Sequence, residues 1–73
     1  MKRYRNLSGN SGVIAYDDRP GVILVRFTGG DIYEYTDASA GAPVVAEMQR
    51  LARAGRGLCT FIARNRPRYE SAP

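Results

Sequence analysis

Six arginines near the end of the chain are the residues whose type and spacing most plainly suggest chemistry. Arg50 and Arg53 are three apart, which makes them neighbours on one helix face, and Arg56 follows just beyond. Arg64, Arg66 and Arg68 come next, near the expected end of a second helix, where the helix dipole favours cations. Guanidinium groups gathered on one surface suit a phosphate backbone. The ordinary alternative is a solvated face with dipole complements. Lys2 is the only basic residue that is not Arg, a skew that reads as the composition bias of GC-rich codons, which also favour Ala and Gly. Tyr4 lies among Lys2, Arg3 and Arg5, and Tyr69 follows Arg68. With Tyr16, these are the tyrosines expected to stack on unpaired bases.

Other reactive groups are few. The chain has no His and no Trp, and Cys59 is its only cysteine. One copy therefore cannot assemble a Cys/His metal site, a Ser-His-Asp site or an internal disulfide. No catalytic residue, metal or cofactor is expected, and the chain reads as a non-enzyme. Asp17-Asp18 and Asp31 are carboxylates with the look of turn formers. Cys59, beside Leu58, Phe61 and Ile62, reads as a small buried hydrophobe, with Arg56 and a helix start as the only activating features. Ser8-Gly9-Asn10-Ser11-Gly12 lacks the Gly-Lys-Ser/Thr of a P-loop and runs into a strand, so Asn10 and Ser11 should bond local backbone in a turn.

The elements that must position these groups follow from punctuation and periodicity. Val13–Tyr16 reads as a strand, Asp17–Gly21 as a turn, and Val22–Phe27 and Ile32–Tyr35 as two further strands. A three-residue loop, Thr28-Gly29-Gly30, sets Val25 opposite Tyr33 and Ile23 opposite Tyr35. Ile23, Val25, Phe27, Tyr33 and Tyr35 then share one face, while Leu24, Arg26, Ile32 and Glu34 share the other. A two-residue Gly29-Gly30 turn would instead set Phe27 opposite Ile32 and place Glu34 among core residues. Asp37–Ala42 reads as a loop. Pro43 suits the first turn of a helix carrying Val44, Met48 and Leu51, which Gly55 and Gly57 end. Leu58, Phe61 and Ile62 mark a second helix, about Gly57 to Asn65, stopped by Pro67. The expectation is one α+β domain spanning residues 1–73. Its core runs from about 8 to 66, with a three-stranded antiparallel meander and two helices on one sheet face. Residues 1–7 form a basic lead-in and residues 67–73 a frayed tail.

Seventy-three residues with a net charge of +4 lie near the lower limit for a self-sufficient core, so a homodimer is a fair expectation. Charge is segregated. Residues 1–5 carry +3, residues 6–47 carry −4 and residues 48–73 carry +5. No apolar run approaches a membrane span, and the basic start has no apolar stretch of the signal-peptide kind. The expected location is the cytoplasm.

Ser8-Gly9-Asn10-Ser11 before a strand ending Tyr16-Asp17, the Ile23-x-Val25-x-Phe27 strand, the Gly29-Gly30 turn, the central Tyr33-Glu34-Tyr35 and the Arg-rich end together resemble the KTSC domain. That small domain is found at the C-terminus of some lysyl-tRNA synthetases and as stand-alone bacterial proteins. The resemblance covers about Ser8 to Tyr69. It implies no activity and no catalytic residues, and its association with the synthetases points toward RNA. Two functions follow as expectations. The first is nucleic-acid binding, RNA before DNA, through Arg50, Arg53, Arg56, Arg64, Arg66 and Arg68. The alternative is a protein-interaction or homodimerisation module using the outer sheet face, with Val22, Leu24 and Ile32, or an edge strand.

Overall fold

Polarity sets the register of the two central strands. In the computed structural model, which describes every residue except Ser8, Asn10 and Pro73, β3 (Val22–Phe27) pairs antiparallel with β4 (Ile32–Thr36). Val25 lies opposite Tyr33, Ile23 opposite Tyr35, and Arg26 rather than Phe27 opposite Ile32. The Thr28–Gly30 loop is closed by the Phe27 N–H donating to the Asp31 carbonyl at 2.9 Å, with Gly30 at φ 92°. The register expected from segregating polar and apolar residues is the observed one.

The meander is wider than three strands. β1 (Lys2–Arg3), β2 (Val13–Arg19), β3, β4 and β5 (Glu70–Ala72) form one antiparallel sheet in sequence order. The lead-in and the tail are thus both corrected, because each supplies an edge strand. β1 continues into Tyr4, whose N–H donates to the Ile14 carbonyl at 3.0 Å. Asp17 and Asp18, expected in a turn, extend β2 instead. The register shift between Val13 and Ala15 marks a bulge at Ile14.

The Asp37–Ala42 loop is also corrected. Asp37–Ala40 is a short helix, α1, opened by a capping box. The Ser39 N–H donates to Thr36 Oγ1 at 3.0 Å, and the Thr36 N–H donates to Ser39 Oγ at 3.0 Å. α2 (Ala42–Ala54) and α3 (Leu58–Asn65) follow at the expected positions. Val45, Met48 and Ala52 of α2 and Leu58 of α3 pack on Ile23, Val25 and Tyr35, so the helices cover one sheet face. Gln49 ties α2 to the β2–β3 turn by donating to the carbonyls of Arg19 and Val22.

The N-terminal segment completes this core. Tyr4 is only 3% exposed, and its hydroxyl accepts the N–H of Leu58 at 3.3 Å. Gly57 gives α3 no side-chain cap, so Tyr4 supplies one from the other end of the chain. Beyond it, the Leu7 N–H donates to the Gly55 carbonyl at 2.7 Å. Gly55 ends α2 at φ 78°, and a Cβ there would lie 2.9 Å from Arg5 Cβ. Gly55→Ala is therefore expected to destabilise by about 1–2 kcal/mol from the left-handed backbone alone, with more from the overlap. Urea denaturation with an unchanged m-value would measure it.

Candidate nucleic-acid interface

All six C-terminal arginines are exposed, but the fold divides them. Arg50 is held in a two-point bond with Glu47 one turn back, Nε to Oε1 at 2.8 Å and Nη2 to Oε2 at 2.6 Å. That contact raises the Arg50 pKa and lowers that of Glu47. Arg53 turns toward the sheet and grips Asp18, with Nε at 2.8 Å and Nη2 at 2.6 Å from Oδ2. The Asp18 carboxylate is only 3% exposed and also takes Lys2 Nζ at 3.2 Å. Burial alone would raise the Asp18 pKa, but the bonds and charges of Arg53 and Lys2 outweigh burial and hold it below the usual value. Arg53 also accepts a hydrogen bond at its carbonyl from Arg5 Nη2. Arg50 and Arg53 are thus spoken for within the fold.

Arg56, Arg64, Arg66 and Arg68 make no ion pair among the described residues. Arg56 lies just before α3. Arg64 lies in its last turn, Arg66 caps it at φ 45°, and Arg68 follows in extended chain. Eight helical residues separate the two ends by roughly 12 Å. The C-terminal trio is anchored by its backbone: the Arg66 N–H donates to the Ile62 carbonyl at 2.8 Å, and the Arg68 carbonyl accepts Ser39 Oγ at 3.0 Å. Pro67 between them is buried. The side chains at 66 and 68 therefore project from a fixed backbone.

The tyrosines are redistributed as well. Tyr4 and Tyr16, expected at the surface, belong to the core, where Lys2 Nζ sits 5.9 Å from the Tyr16 ring centre. Tyr69 remains exposed, at 48%. Its ring stacks on Tyr33 at 4.0 Å and 15°, and lies tilted to Tyr35 at 5.8 Å. Tyr35 is core as expected, whereas Tyr33 is half-buried and belongs to the rim, where it also meets Phe27 at 5.2 Å. The neighbouring Tyr69 hydroxyl raises the Tyr33 pKa, and burial, aided by Tyr69 and Tyr33, pushes Tyr35 up to about 12. At neutral pH both are uncharged phenols, which suits stacking. Reading Tyr33 only as a core residue missed its pairing with Tyr69. Once β5 is known the pairing follows, because a tyrosine just before a strand that pairs with β4 falls on the same face as Tyr33 and Tyr35.

The other candidates resolve simply. Ser11 Oγ accepts the Val13 N–H at 3.0 Å, the local backbone bond expected of it, while Asn10 lies outside the described residues. Cys59 is half-buried, packed against the core. Among the described residues no three His, Cys, Asp or Glu side chains group together, and no helix is long and apolar enough to cross a membrane. Comparison with protein-family models, curated proteins and solved structures found no match.

Proposed function

We propose that this protein is a small, non-enzymatic, cytoplasmic module that binds single-stranded nucleic acid, RNA before DNA. Arg64, Arg66 and Arg68 contact phosphates, Tyr69 stacks on a base, and Arg56 meets the strand at the far end of α3. The observation that carries this reading is the exposed Tyr69 ring, preceded in sequence by arginines that make no ion pair among the described residues. Cationic side chains beside an aromatic face are what a sequence-tolerant single-strand site needs. The motifs resembling the KTSC domain support RNA over DNA, with no matching family model behind them.

Titration of a fluorescent single-stranded oligoribonucleotide at several salt concentrations tests the proposal. Single strands lose about 0.7 in log K per log salt for each phosphate neutralised, so four arginines should give a slope of roughly −3. Arg66→Glu with Arg68→Glu should weaken binding at least tenfold, whereas Arg50→Glu, which removes an arginine already paired with Glu47, should change it little. A DNA strand of the same sequence measures the preference for the 2′-hydroxyl. No binding at low salt, or affinity indifferent to the double reversal, overturns the reading.

A further inference from the structure

The sheet face opposite the helices carries a four-residue pattern that complements itself. Leu24 and Arg26 stand on β3, and Ile32 and Glu34 on β4, with Arg26 opposite Ile32 and Leu24 opposite Glu34. The four side chains form the corners of a cell about 5 Å by about 7 Å. One diagonal, Leu24 to Ile32, is apolar; the other joins a cation to an anion. Arg26 is exposed, and Leu24, Ile32 and Glu34 are part-exposed. Among the described residues neither Arg26 nor Glu34 makes an ion pair, within the cell or elsewhere.

We infer that this face binds a second copy of the same chain about a two-fold axis lying along the Leu24–Ile32 diagonal. Rotation about that line sets Leu24 on the partner's Leu24 and Ile32 on the partner's Ile32. The same rotation brings each of the other two corners to within about 3 Å of the opposite one, inside the reach of long side chains, so Arg26 meets the partner's Glu34 and Glu34 meets the partner's Arg26. Both charges gain a partner and both apolar residues leave water, as an isologous interface requires. The two sheets then cross steeply, in the manner of orthogonal sheet packing. A foreign partner would have to supply this same pattern by chance, whereas a second copy supplies it by symmetry. A five-stranded face offers roughly 400 Å² per copy, below the usual ~800 Å² of a stable interface, so the dimer is weak and concentration-dependent.

Sedimentation equilibrium from micromolar to millimolar protein should show a reversible monomer–dimer equilibrium. Arg26→Glu and Glu34→Arg should each abolish the dimer, since each places like charges together twice. An equimolar mixture of the two variants should restore it as a heterodimer, because every contact again joins opposite charges. Melting temperatures of the two variants establish that both fold, and Leu24→Asp, which buries a carboxylate on the axis, should abolish the dimer in any background. A wild-type monomer at millimolar concentration, dimerisation unaffected by either charge reversal, or a mixture that stays monomeric overturns the inference, and the face then serves another partner or solvent.

Discussion

Tyr4→Ala is expected to unfold most of the protein at room temperature. Truncating a buried aromatic residue costs about 3–5 kcal/mol, of the order of the whole stability of a domain this small. Tyr4 is 3% exposed and packs in the core with Leu58, so the void has little means of closing. Its hydroxyl is also the partner of the Leu58 N–H at the start of α3. Tyr4→Phe separates the two effects: the ring stays, the N–H loses its acceptor, and the expected loss falls to about 1–3 kcal/mol. Circular dichroism with urea titration reads both variants. Wild-type stability in Tyr4→Ala would mean that the N-terminal segment does not complete the core.

That residue also shows where sequence reasoning stops. The β3–β4 register was legible because apolar and polar residues alternate there over eleven positions closed by a glycine loop. Tyr4 was not, because its neighbours Lys2, Arg3 and Arg5 are all charged and its partner Leu58 is 54 positions away. β5 was illegible for a similar reason. Glu70-Ser71-Ala72 has little strand propensity, and the Tyr69–Tyr33 stack lies beside the point where it joins β4. The α1 capping box was missed too: Thr36 and Ser39 stand three apart, but serine replaces the Glu or Gln of the usual signature, so Asp37–Ala42 read as a loop. At the candidate interface the arginines could be counted but not sorted. Glu47 lies one turn from Arg50 and could have been paired with it from spacing, but Asp18 lies 35 positions from Arg53, and only the fold brings them together.

Loss of the Asp18 carboxylate should have the second-largest effect, and it depends on pH. Asp18 joins Lys2 on β1 and Arg53 on α2, so one buried carboxylate holds the edge strand and the main helix to β2. Both cations are mostly solvent-exposed and would rehydrate if released, so Asp18→Asn is expected to lose about 1–2 kcal/mol at neutral pH rather than the larger cost of stranding a buried charge. The folded pKa lies below the ordinary value of 3.8. The stabilisation is therefore complete above the unfolded pKa and disappears as pH falls through the folded one. Wild type and Asp18→Asn should differ most above about pH 4 and converge in stronger acid. Urea midpoints across an acid series give the comparison. A gap between the two proteins that persists undiminished below that window would assign the loss to something other than the charge.

The five strands pair only with their neighbours in sequence, yet the cap of α3 comes from residue 4. The two facts impose an order on biosynthesis. As the chain leaves the ribosome, the β2–β3 and β3–β4 hairpins can close soon after their second strands emerge, whereas β4 waits for β5, which follows all three helices. Tyr4 emerges well before Leu58, and its hydroxyl has no N–H to accept until Leu58 appears. Until then an aromatic ring in a basic segment is open to chaperones and proteases, and the nascent protein is most vulnerable at the segment that α3 has yet to meet.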